Sequence, residues 1–283
     1  MRNNRILLPL LTLCITAMTV FCLSGCNKNT ETDEIADRIA DQYTKEQVLD
    51  FFETVALQAE YSSEDMPLLS NNGSSDAVIA TVTTHPLVKW TQDTIYYTIN
   101  GEKSAPDTVT IIRKVITDLN EIPNLPEILP ADEEHSADLT IEIGTQIAIQ
   151  SLQQTQSNGF NTIAYDLTDY HITRGAVYLY PMEINDTNMP ANTNNSTTTM
   201  YLTRNRINHI ITEELTQTMG LPNDCTDYPE SILDDDANEA TSLSDLDKLI
   251  LIMMYSDKFT NGMSAEDALT QAGVYLDQTV FNT

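Results

Sequence analysis

Basic charge is scarce in this 283-residue chain. Lys and Arg total 14 against 42 Asp and Glu, a formal charge of −28. Such a polyanion is repelled by nucleic acid and by anionic membrane surfaces, which excludes both as principal partners. Glycine is short as well, at 9 residues, and no repeat at solenoid or propeller spacing runs through the chain. Collagen-like, Gly-rich and repeat architectures are thereby excluded. Cysteine is limited to Cys14, Cys22, Cys26 and Cys225. What the chain does have is apolar material, 41% of residues, too much for a wholly disordered protein. Its length suits one domain, or one domain with extensions.

The long apolar run lies at the N-terminus. Arg2 and Arg5 open it, residues 6–21 are almost wholly apolar, and Leu23-Ser24-Gly25-Cys26 follows at once. This is the basic, apolar and small-residue layout of an export signal. The last four residues resemble the bacterial lipobox, which implies a signal peptide over 1–25 and acylation of the Cys26 thiol after cleavage. Residues 26–43 are then expected to be a tether, charged and Ala-containing, that frays into helix, and 44–283 a single globular domain. The mature protein is expected outside the cytoplasm, held to the cell membrane or envelope by its lipid at about 0.8 kcal/mol per buried methylene. Cleavage removes both early Arg and no acidic residue, so the mature chain is more acidic still. With Cys26 acylated, Cys225 has no intrachain partner, and the core must hold the fold without a disulfide.

Local patterns outline the domain. Thr44-Lys45-Glu46-Gln47 reads as a capping box, and Val48, Phe51, Phe52, Val55, Ala56 and Ala59 follow at helical spacing, predicting a helix to about residue 60. Residues 62–76 read as a loop. A β-branched and aromatic strand is predicted over 94–99, closed by Asn100-Gly101. An amphipathic helix then carries Val109, Ile112, Val115, Ile116 and Leu119. Pro123, Pro126 and Pro130 predict an extended loop over 122–134. Strands are predicted at 139–143, 161–167 and 176–180, then a polar loop over 183–199 and late helices. The layout is α+β with a mixed sheet.

Residues 202–220 carry the most information. Ile207, Ile211, Leu215 and Met219 step by four, with Ile210 beside them, and Gly220 with Pro222 supplies the stop. With Ile207 at zero on a helical wheel, Glu214 falls at about 340°, Gln217 at about 280° and Glu213 at about 240°. Glu214 therefore borders the apolar stripe and needs a partner or a proton. One reading is structural, with Glu214 capping a loop or pairing with Arg204 or Arg206. The other comes from the zincin pattern H-E-x-x-H-x-x-G-x-x-H, on which Glu214 takes the general-base position and Gly220 the turn. Glu213, Gln217 and Asn223 (or Asp224) then stand where the histidine ligands belong. Their oxygens suit Ca²⁺, Mg²⁺ or Mn²⁺ better than Zn²⁺, so a divalent metal ion is the candidate cofactor. His209, four residues before Glu213, is either a further ligand or that residue's ion-pair partner. Cys225 reads as a packed thiol, with metal ligation or nucleophilic attack as the alternatives. The acidic run Asp234-Asp235-Asp236 lacks EF-hand spacing and reads as a solvated loop.

The run from Glu213 to Gln217, Gly220-Leu221-Pro222-Asn223-Asp224, Ser231-Ile232-Leu233, Leu243-Ser244-Asp245-Leu246-Asp247 and Gly262-Met263-Ser264 resembles an uncharacterised bacterial family rich in lipoproteins. The resemblance covers roughly residues 48–264. That family in turn resembles remote relatives of the metzincin metalloproteases, with Leu233 at the place of their Met-turn methionine and the helix over 244–255 resembling their last. The resemblance implies a zincin-like α+β domain with a long central active-site helix, a C-terminal helical part and a preceding N-terminal helix. The function it implies is a degenerate metallopeptidase-like domain that binds peptide or envelope polymer in an inherited cleft. The alternative is an active metal-dependent hydrolase with Glu214 as general base.

Overall fold

The computed structural model describes residues 31–58, 84–155, 157–185, 199–235 and 240–281. The expected signal peptide, the lipidated Cys26 and the loop over 62–76 lie outside the described residues. Helix α1 spans 31–42, within the stretch expected as a tether. It buries Ile35, Ala36 and Ile39, and Arg38 grips Asp245 through two bonds of 2.5 and 2.9 Å. These apolar residues share one helix face, which is why the segment docks rather than hangs free. Helix α2, Lys45–Leu57, begins at the expected capping box: Thr44 accepts from the Gln47 backbone and Gln47 returns the bond. It buries Val48, Phe51, Phe52 and Val55, and ends three residues short of the predicted boundary, where Gln58 turns extended to bridge Thr84.

The sheet follows as β1 (Thr94–Asn100), α3 (Pro106–Asn120), β2 (Glu127–Pro130), β3 (Leu139–Ile143), α4 (Gln146–Thr155), β4 (Gly159–Tyr165) and β5 (Ile172–Leu179). Its strand order is β2-β1-β3-β5-β4. All neighbouring pairs are parallel except β4 with β5, so β4 is an antiparallel edge strand. A second, two-stranded sheet pairs β6 (Met182–Ile184) with β7 (Met200–Leu202). Three helices close the chain: α5 (Arg204–Gln217), α6 (Asp245–Met254) and α7 (Ala265–Thr279). The mixed α+β architecture agrees with the sequence. Among the described residues no helix is long and apolar enough to cross a membrane.

Several elements differ from expectation: β6, β7 and the span of α7 were not predicted, and β2 and α4 are the most instructive. β2 lies where three prolines predicted a loop. It sits at a sheet edge with Pro130 as its last residue, a place where a missing N–H is tolerated. Asn120 supports it by accepting from Ile128 N at 2.8 Å and donating to Ile128 O at 3.0 Å. Helix α4 was not expected at all, because only Ala148 and Leu152 are buried in it and its apolar period is faint.

One face of the sheet forms the core. Leu139, Ile141 and Ile143 of β3 line up with Gly175, Val177 and Leu179 of β5, and all are buried. Ile95, Tyr97 and Ile99 of β1 share that face by register. α3 and α5 pack together, α5 also packs on β4, and α2 packs against α7. The edge strand and the helix carrying Glu214 are thus brought side by side.

Candidate functional site

Helix α5 starts at Thr203, whose hydroxyl accepts from Arg206 N at 3.3 Å. Its end is tied down from outside. The Trp90 indole donates to Thr218 O at 2.9 Å and the Tyr255 hydroxyl donates to Met219 O at 2.8 Å. Both carbonyls belong to the last turn, which has no helical partner of its own. Gly220 then reverses the chain at φ +99°, and a Cβ there would stand 2.3 Å from Val88 O. The expected stop is therefore a true requirement for glycine.

Ile207, Ile210, Ile211 and Leu215 are buried, and Glu214 beside them is only 7% exposed, as the wheel predicts. β4 closes over it. A Cβ added to Gly159 would come within 2.5 Å of Glu214 Oε1 and 2.7 Å of Ile210 Cγ2. Two residues along the strand, Asn161 Nδ2 donates to Glu214 Oε2 at 2.9 Å and also to Gln217 Oε1. Gln217, 6% exposed, passes the chain on by donating through Nε2 to Asp224 Oδ1 at 2.7 Å. Glu214, Asn161, Gln217 and Asp224 thus form one hydrogen-bonded line between the edge strand and the helix. Sequence reasoning missed Asn161. The available signal was an amide side chain in a predicted strand, a site where Asn is normally depleted.

The remaining candidates point elsewhere. Glu213 pairs with His209, whose Nε2 lies 3.2 Å from Glu213 Oε2, near enough for an ion pair but not aligned for a hydrogen bond. His209 Nδ1 bonds Ala240 O at 2.8 Å. Asn223 donates through Nδ2 to Thr54 O at 3.0 Å and to Gln58 O, the closing carbonyls of α2. Glu213 thus pairs with His209, Asn223 holds α2 through its amide nitrogen, and Asp224 joins Gln217. Among the described residues no three His, Cys, Asp or Glu side chains are placed to share a metal ion. The donors present do not fit the metal of a zincin site.

Behind the helix, the segment Cys225 to Asp235 is fixed by Cys225 N donating to Leu233 O at 2.8 Å and Asp235 N to Cys225 O at 2.9 Å. Asp247 is fully buried and accepts from Ser231 Oγ at 2.6 Å, Ile232 N at 3.0 Å and Ser244 N at 2.8 Å. Burial pushes its pKa up against the pull of those bonds. Burial, helped by Asp234 and Asp247, likewise pushes the Cys225 thiol up to about 12. Buried at 3% exposure and reluctant to ionise, the thiol fits the packing role expected of it.

A family model described as a protein of unknown function, DUF2927, matches residues 45–272. The chain belongs to the DUF2927 family. No curated protein and no solved structure matches it. The DUF2927 match opens at the first residue of α2 and closes inside α7, so the hydrogen-bonded line from Glu214 to Asp224 lies within it and α1 lies before it.

Proposed function

We propose that this DUF2927 protein is an exported, lipid-anchored, zincin-like binding protein that holds an extended peptide along the outer edge of β4, beside α5, without cleaving it. The observation that carries this is Asn161, whose amide ties the edge strand to both Glu214 and Gln217. Among the described strands β4 pairs with β5 alone, so its outer edge offers backbone donors and acceptors to an added strand. Glu214 and Gln217 are the polar groups that such a peptide meets beneath that edge.

The zincin-like part rests on the strand–helix–strands–helix order, on Glu214 at the general-base position and on Gly220 at the turn. The preference for binding over hydrolysis rests on ligand chemistry. Glu213 is paired with His209 and Asn223 is tied to α2, and the oxygen donors of Glu, Gln and Asn are weak replacements for the histidines that make zinc-bound water acidic.

The test is peptide capture by the protein from a random extended-peptide library. Gln217→Ala should weaken binding, and indifference to that change removes the cleft from the proposal. Should the captured peptides be cut, and the cutting stop on Glu214→Gln or on chelation, the hydrolase alternative replaces binding. Lipidation is read by incorporation of a fatty-acid probe that Cys26→Ala abolishes.

A further inference from the structure

The opposite face of the sheet carries an open concavity of about 480 Å³ at the starts of β1, β3 and β5. Tyr96 lies on that face because it alternates with Ile95 and Tyr97, which share the core side with Asn161 through the sheet register. The cleft is lined by Glu134, His135, Asp138 and His171 among others, and among the described residues no Lys or Arg lines it.

Both histidines are held by one device. Asp132 Oδ1 accepts from the His135 ring Nδ1 at 2.9 Å and from the backbone N–H groups of Glu134 and His135, each at 2.8 Å. Asp169 Oδ1 accepts from the His171 ring Nδ1 and from His171 N at 3.3 Å. The His135 ring is further fixed by stacking on Tyr96, with centroids 4.2 Å apart and planes 11° apart. The bond from Glu134 N, then that from the His135 ring, lowers the Asp132 pKa; the His171 ring does the same for Asp169.

A carboxylate only accepts, so the ring proton of each neutral imidazole sits on Nδ1 and the lone pair on Nε2. The cleft therefore presents acceptors: two Nε2 lone pairs, the Glu134 carboxylate, and the Asp138 oxygen left over after Oδ2 takes Tyr96 N at 2.9 Å. An anionic ligand finds no counter-charge there. A single metal ion is poorly matched too, since no three such side chains among the described residues converge. Acceptors spread between the β2–β3 loop and the approach to β5 match a ligand whose donors are also spread, and the chain's charge of −28 adds long-range attraction for cations.

We propose that this cleft binds a short organic oligoamine, its ammonium groups meeting Asp138 and Glu134 and its chain running between His135 and His171. The probe is spermidine, titrated calorimetrically into the protein at about 0.15 M salt, where diffuse charge attraction is screened beyond about 8 Å. One saturable site is expected, weakened about tenfold by Asp138→Asn and by His135→Ala, the loss of one charge-assisted bond. Glu266→Gln, which removes the same charge from α7, should leave it unchanged. Equal weakening by Asp138→Asn and Glu266→Gln reduces the effect to bulk charge and overturns the proposal. So does one-to-one capture of Zn²⁺ alone with no spermidine binding, which makes the cleft a metal site, and so does the lack of any saturable binding. Gln217→Ala, on the far face, should leave spermidine binding intact, so failure of the peptide proposal and failure of this one are separately visible.

Discussion

At the scale of single residues, the candidate site depends on contacts that leave no room for alternatives. Gly159 is the clearest, because Glu214 and Ile210 both approach the point where any other residue carries its Cβ. Gly159→Ala should therefore push β4 off α5 and cost about 1–3 kcal/mol, the usual penalty of overpacking. A urea midpoint indistinguishable from that of the parent would show that the strand and helix are not so closely apposed. Asp247 is a second such residue. Asp247→Ala leaves the buried Ile232 N–H and Ser231 hydroxyl without their acceptor, at about 1–3 kcal/mol for each group. The change should lower the melting temperature strongly without touching Glu214. What the sequence revealed at this scale was position on the helix: Glu214 at the margin of an apolar stripe, and His209 one turn before Glu213. It did not reveal partners. Asn161 is 53 residues from Glu214 and Asn223 is 169 from Thr54, and no local period encodes contacts over such separations.

At the scale of elements, legibility followed the strength of the local period. α2, α3, α5 and α6 each bury a continuous apolar face, and all four stood out in the sequence. α4 buries two residues and did not. β2 was hidden by its prolines, since its support comes from the Asn120 side chain rather than from strand propensity. α1 is helical where the charged, Ala-containing tether was expected to fray into helix, and three apolar residues with the Arg38–Asp245 pair dock it on α6, a contact no local pattern announced. The caps offer a direct test of how far local signals matter. Thr44→Ala removes the hydroxyl half of the α2 capping box and should cost about 1 kcal/mol, read as a shift in the unfolding midpoint. Because α2 also supplies the carbonyls that hold Asn223, the same variant should loosen the turn after α5, which amide hydrogen exchange at Asn223 reports. Protection unchanged at that amide would mean the two elements are not coupled.

At the scale of the whole molecule, a fold that carries buried thiol and phenol groups has a predictable response to base. The Cys225 thiol is pushed from about 9 to about 12 and the Tyr228 hydroxyl from about 10 to about 12, in both cases chiefly by burial. Burial raises Tyr165, Tyr255 and Tyr275 as well. Each of these groups keeps its proton in the folded chain at a pH where the unfolded chain has lost it. Their contribution to stability is complete below the unfolded pKa and is lost as pH climbs through the folded one. Lys89 has the other sign. Burial lowers it from 10.5 to about 8 while its amine donates to Met254 O at 2.8 Å and Phe259 O at 2.7 Å, so the folded chain sheds that proton first and gains stability between those values. The Lys89 gain runs from about 8 to 10.5 and offsets the Cys225 loss that begins at about 9, while the tyrosines add to the loss from about 10. Stability should therefore rise slightly between about pH 8 and 9, stay level to about pH 10 and fall above it. Urea midpoints at pH 7, 9, 10 and 11 measure the curve. Cys225→Ala should make the fall shallower when each variant is referred to its own value at pH 7, which cancels the constant cost of the missing sulfur. A parallel curve would mean that the thiol already ionises in the native state, and that the pocket around Leu233 and Asp247 is wetter than its packing implies.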